Sequence, residues 1–181
     1  MLKGGNVRYE MSGRSAAVAC GGIGAIHTMV RKLGLPAAID GALKLLKIHA
    51  PYFESDHVLN LAYNVLTGGT RLEDIERLRN DEAYLDALGA RKIPDPTTAG
   101  DFLRRFSAAT ITDLMEAVND KRLAVWDRQA GRDADFYNQA IIDADGTITG
   151  TLGERKDGMD MSYKGIWGYA PLIVSLANTG E

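Results

Sequence analysis

Ala140–Gly150 reads AIIDADGTITG. Ala140, Ile142, Ala144 and Ile148 fall on one side of an alternating pattern and Ile141, Asp143, Asp145 and Thr147 on the other, which is the signature of a β-strand. Upstream the period is different. From about Gly22 to Gln129 apolar residues recur at helical spacing: Ile23, Ile26, Val30 and Leu33, then Ile39, Leu43 and Leu46, then Val58, Ala62 and Val65. The period changes across AGRDAD, Ala130 to Asp135, so the chain reads as α+β, with a helical region over residues 1–132 and strands over 133–181.

Punctuation supports the helices. Ser55 precedes an acidic first turn, Gly68 and Gly69 close that helix, and Thr70 with Glu73 has the form of a capping box. Gly89 ends a short helix at Leu88. In RKIPDPTTAGDFLRRF two prolines break the helical pattern, Thr98 with Asp101 caps the next helix, and Phe102, Leu103 and Phe106 face a core. Thr110 with Asp113 opens the longest helix, expected to bury Ile111, Leu114, Val118 and Val125 and to end before Gly131.

A second strand is expected in PLIVSLAN, Pro171 to Asn178, with NTGE as a turn beyond it. The connection between the strands is glycine-rich and carries Lys156, Tyr163, Lys164, Trp167 and Tyr169, which suits a functional loop.

Composition narrows the class. The 181 residues are 45% apolar and 25% charged, the balance of a globular chain of one to two domains. One cysteine, Cys20, excludes an internal disulfide framework, and its isolation argues for a reducing cytoplasm and against zinc. The run AAVACGGIGAI from Ala16 is far short of the ~20 residues of a membrane span, so no membrane partner is expected. Charge is uneven: residues 133–181 hold three basic and eight acidic side chains, a net of −5, while residues 1–132 hold 18 and 16, a net of +2. An acidic metal site joined to a more basic helper region has this distribution.

Two carboxylates two residues apart on a strand project from the same face, where they can bind a hard divalent cation, magnesium or manganese, or hold its water ligands. The plainer reading, favoured on the residues alone, is a solvent-facing pair with Asp145-Gly146 in a turn. His27, His49 and His57 share no ligand spacing and read as structural. Arg104 and Arg105 are candidates for contact with DNA phosphates, equally readable as a solvated basic face, and Lys164 joins them from the glycine-rich connection.

The segment IIDADGTITGTLGERKDGMDMSYKGIWGYAPLIVSLANTGE, Ile141 to Glu181, closely resembles the start of the catalytic domain of DDE-type bacterial insertion-sequence transposases, in particular the insertion-sequence thirteen-eighty family, related to the insertion-sequence four group. GGIGAIHTMVRKLGL, LAYNVLTGGTRLEDIERLRND and PTTAGDFLRRF resemble that family's helical N-terminal region, so the likeness covers nearly the whole chain. It implies a ribonuclease-H-like catalytic fold, here its first two strands, and cut-and-paste chemistry on DNA ends. The family's first catalytic aspartate, followed by a small residue and a threonine, maps onto Asp145 of DGT, with Asp143 a nearby second candidate. The implied cofactor is Mg2+ or Mn2+, and the implied partner is DNA at the terminal inverted repeats. A homo-oligomer and a bacterial cytoplasmic, nucleoid-associated location go with them.

Members of that family continue to a second aspartate in a segment like Arg-Gly-Asp-Thr-Asp-Phe and to a glutamate in a Tyr-Arg-Glu-Lys signature, neither of which occurs in this sequence. Ala170 also stands where many relatives have histidine. The expectation is an N-terminal fragment, truncated in its catalytic domain and unable to transpose alone. The alternatives are a DNA-binding remnant that occupies inverted repeats or inhibits the full transposase, and an inert product with exposed strand edges.

Overall fold

The computed structural model describes residues 20–133, 135–153 and 157–177. Lys156 and the NTGE turn lie outside them. Among the described residues the fold is α+β: seven α-helices precede five short strands. Two compact units divide the chain, Met1–Val125 and Trp126–Glu181.

The first unit contains α1 (Ile23–Lys32), α2 (Leu35–Ala42), α3 (Glu54–Leu66), α4 (Ile75–Arg79), α5 (Glu82–Leu88), α6 (Pro96–Leu103) and most of α7 (Ala108–Ala130), with a 3₁₀ turn at Leu72–Asp74. Its core includes Ile23, Val30, Ile39, Leu59, Tyr63, Ile75, Tyr84 and Phe102. Ile23, Val30 and Ile39 belong to the stripe that the periodicity marks. Leu43 is fully buried but lies past the end of α2.

α3 departs from its hydropathy pattern. Of the expected face, Val58 is half-buried, Ala62 is exposed and Val65 is 69% exposed. The buried face carries Glu54, Ser55, His57, Asn60 and Asn64 beside Leu59 and Tyr63. Irregular backbone packed against part of this face is one cause. Glu54 Oε1 accepts from the Leu45 and Leu46 N–H groups, both at 3.0 Å. Asn60 Nδ2 donates to the Pro94 carbonyl at 3.1 Å, and Asn64 Nδ2 to the Arg71 carbonyl at 2.9 Å. Buried loop backbone needs partners, and α3 supplies them through side chains.

Several caps sit away from their expected residues. Ser55 lies inside the first turn of α3, where its N–H and hydroxyl donate to Asp40 at 2.8 and 3.0 Å. Asp56 closes that helix end by accepting from the Phe53 N–H at 2.8 Å. Asp74, rather than Glu73, accepts from the Thr70 and Arg71 N–H groups. α6 starts with Asp95 as its cap, accepting from the Thr98 N–H at 2.9 Å, so Pro96 begins the helix instead of breaking it. Ser107 and Thr110 exchange side-chain to backbone bonds at the start of α7. Gly89 ends α5 as expected, with φ 63°.

α7 buries none of its residues: Leu114 and Val118 are half-buried, and Ile111 and Val125 are exposed. Similarly, Phe102 is buried and Phe106 half-buried, but Leu103 is exposed. Among the described residues no helix is long and apolar enough to cross a membrane.

In the second unit β1 (Ile142–Gly146) pairs antiparallel with β5 (Leu172–Leu176), matching Asp143 to Ser175 and Asp145 to Ile173. Ile148 and Thr147 fall beyond β1. The glycine-rich connection is not a bare loop. Its residues form a second antiparallel sheet, β2 (Thr149–Gly150), β4 (Trp167–Tyr169) and β3 (Asp160–Met161), in the order β2-β4-β3. Gly168 is the one fully buried residue among those described in this unit. A Cβ there would collide with the Thr149 carbonyl oxygen and stand 2.9 Å from Gly150 Cα. Gly168→Ala is therefore expected to unpair β2 from β4 at a cost of about 1–3 kcal/mol. The change would be read in the amide resonances of Thr149, Thr151 and Trp167; unmoved resonances would contradict it.

Candidate functional site

Strand alternation and the β1–β5 register place Asp143 and Asp145 on one face with Ser175 and Ile173. The opposite face presents Ile142, Ala144, Leu172, Val174 and Leu176. Both aspartates are exposed. Their oxygens suit a hard divalent cation, and their common face lets both reach one ion or its waters. Among the described residues, however, no group of three or more His, Cys, Asp or Glu side chains is placed to hold a metal ion. Two carboxylates are fewer ligands than the six or more oxygens that such a cation usually takes.

A groove of about 620 Å³ begins at the residue after Asp145: Gly146, Thr147 and Ile148 line it together with Ser162, Tyr163 and Lys164. The Thr147 N–H donates to the Pro171 carbonyl at 3.1 Å, which ties this edge to the start of β5. Tyr163 and Lys164 occupy the β3–β4 turn, both exposed, with Lys164 Nζ 5.4 Å from the Tyr163 ring centroid. Lys164 and the aspartates thus belong to the same unit.

Arg104 and Arg105 belong to the other. Arg104 is the C-terminal cap of α6 and pairs with Asp101. Arg105 lies just past the helix, and its Nη1 donates to the Leu45 carbonyl at 3.3 Å. Both are exposed, and the end of a helix is a favourable place for cations whatever else they do.

The first unit also holds a cavity of about 520 Å³, lined among others by His27, Arg31, Tyr63, Tyr84, Arg91 and Lys92. His27 Nδ1 and the Tyr63 hydroxyl are 2.9 Å apart. Burial pushes the His27 pKa down, Arg31 adds to this, and Asp56 opposes it. The buried Tyr84 hydroxyl has no hydrogen-bond partner, and burial, followed by Cys20 and Tyr63, pushes its pKa up. His49 meets Glu54 at 3.2 Å, and His57 stacks on Phe102 with ring centroids 4.4 Å apart. The three histidines therefore serve packing and hydrogen bonding at separate points.

Sequence reading did not find this cavity. Its walls come from α1, α2, α3, α5 and the segments before α3 and after α5, whose residues share no spacing. The turn that exposes Tyr163 was likewise hidden, because strands of two or three residues leave no periodic trace.

Residues 1–181 match the family model described as Transposase DDE domain group 1. No curated protein and no solved structure matches the chain.

Proposed function

The chain belongs to the transposase DDE domain family, group 1, and from that premise we propose that it supplies the first metal-binding carboxylate of an insertion-sequence transposase, with Asp145 as the ligand and Asp143 as its neighbour. The observation that carries the reading is the pair of carboxylates on one face of a hydrogen-bonded strand, within a chain that matches a DDE transposase model along its whole length. Mg2+ or Mn2+ would act there as a Lewis acid on a DNA phosphodiester. The two carboxylates on one strand face supply part of the oxygen set that such a cation takes.

The finer assignments follow the resemblance. The element is of the insertion-sequence thirteen-eighty type, residues 133–181 begin a ribonuclease-H-like domain, and the DNA is the terminal inverted repeat. Residues 1–132 bind that DNA, with Arg104 and Arg105 contacting phosphates; Lys164 adds a phosphate contact from residues 133–181, and a homo-oligomer is the working form. Phosphate contacts of this kind give affinity that falls with salt.

The test is electron paramagnetic resonance of Mn2+ added to the full chain. Binding is expected to remove the free-ion signal and EDTA to release the bound ion. An undiminished signal at every protein concentration would overturn the metal-binding role.

A further inference from the structure

The turn between β3 and β4 exposes an aromatic ring that the fold does not need. Tyr163 is 88% exposed. The turn is closed by other groups: the Ser162 N–H donates to the Ile166 carbonyl at 2.9 Å, the Gly165 N–H to the Ser162 carbonyl at 2.9 Å, and the Ile166 N–H to Ser162 Oγ at 3.0 Å. Gly165 takes φ 71°, which suits glycine at the bend. The ring therefore stands on a braced support while contributing almost nothing to burial. Lys164 holds its ammonium 5.4 Å from the ring centroid, and both residues line the groove that starts at Gly146, next to Asp145.

An exposed ring beside a cation, at the edge of a groove leading from an acidic strand, has the chemistry of a stacking site for a nucleobase with its phosphate held by lysine. Bases inside a duplex have their faces covered by their neighbours, so the ring is available only to an unpaired base. We propose that Tyr163 stacks an unpaired base of the DNA strand whose phosphodiester is presented to Asp145, and that Lys164 contacts the adjoining phosphate. The site takes single-stranded or frayed DNA. Its placement beside the reacting phosphodiester rests on the transposase reading above; the stacking itself does not.

The test is fluorescence anisotropy of the full chain with a dye-labelled thymidine oligomer of about 12 nucleotides, within the usual site size of single-strand binders, and with a blunt duplex of equal length. Both titrations are run in EDTA. Tyr163→Ala is expected to weaken single-strand binding at least ~5-fold, the loss of one base–aromatic stack, while Tyr163→Trp retains it and duplex affinity stays unchanged. Lys164→Gln is expected to reduce the dependence of log affinity on log salt by about 0.7, one phosphate contact on a single strand.

Equal single-strand affinity for the parent and Tyr163→Ala overturns the proposal, as does no single-strand binding by the parent. An equal loss for duplex and single strand overturns it too. Circular dichroism identical to the parent's checks that Tyr163→Ala is folded, and Tyr163→Trp carries the test if that variant is not. Because EDTA removes the cation, failure of Mn2+ binding at Asp145 leaves the stacking result standing, and the two readings fall separately.

Discussion

Glu54→Ala is expected to lower the unfolding free energy of the helical unit by about 3–5 kcal/mol, the range for removing one partner of a buried, charge-assisted hydrogen-bond set. Glu54 is 1% exposed. Its carboxylate accepts from two successive N–H groups, Leu45 and Leu46, and meets His49 Nε2 at 3.2 Å. Alanine would leave those donors facing a void. Urea unfolding followed by circular dichroism measures the loss, and a change below ~1 kcal/mol, the worth of one ordinary hydrogen bond, would show that the loop re-forms its bonds elsewhere.

The same group sets a pH dependence. Burial raises the Glu54 pKa, but the Leu46 N–H, a backbone bond within its own residue and His49 together pull it below the ordinary glutamate value. With the folded pKa below the unfolded one, the unfolded chain takes up the proton first as pH falls. Stability from this carboxylate is therefore complete above the ordinary value and is lost as pH drops from there through the folded value. Thermal melts across that acid range should show a midpoint falling in the parent and flatter in Glu54→Gln.

Asp145→Asn is expected to weaken Mn2+ binding by more than ~100-fold, because replacing even the outer partners of metal ligands costs about 10- to 100-fold. The amide keeps the size of the side chain and removes its charge. Asp145 is exposed on a strand whose pairing uses backbone bonds, so the fold should be unaffected. Asp143→Asn provides the comparison: a smaller loss assigns the direct bond to Asp145, and a larger one moves that role to Asp143. Affinity unchanged in both variants would remove the strand pair from metal binding altogether.

The helix–strand division was legible because both periods are long-range patterns: Ile23, Val30 and Ile39 repeat on a helical stripe, and Asp143 and Asp145 alternate with Ile142 and Ala144. Gly89 announced a helix end through its left-handed backbone preference, and Gly131 directly follows the last residue of α7. The facing of α3 was not legible. Hydropathy assigns the inside to Val58 and Val65, whereas loop N–H and carbonyl groups at Leu45, Leu46, Arg71 and Pro94 draw Glu54, Asn60 and Asn64 inward. Partners so far away in sequence are invisible to a local window. At the candidate site, the spacing predicted that the two aspartates share a face, but Tyr163 became distinctive only once the turn was known to expose it.

α7 runs for 23 residues, about 35 Å at the usual helical rise, without a buried residue. Little tertiary packing is lost when it opens, so its melting is close to that of a free peptide, and isolated helices in water are only marginally stable. Amide hydrogens along this stretch should exchange with solvent by local fraying long before those beneath Ile75 or Phe102, and trypsin should find Lys121, Arg122 and Arg128 while the core stays closed. Among the described helices, the one that spans the passage from one compact unit to the next is thus the first to yield.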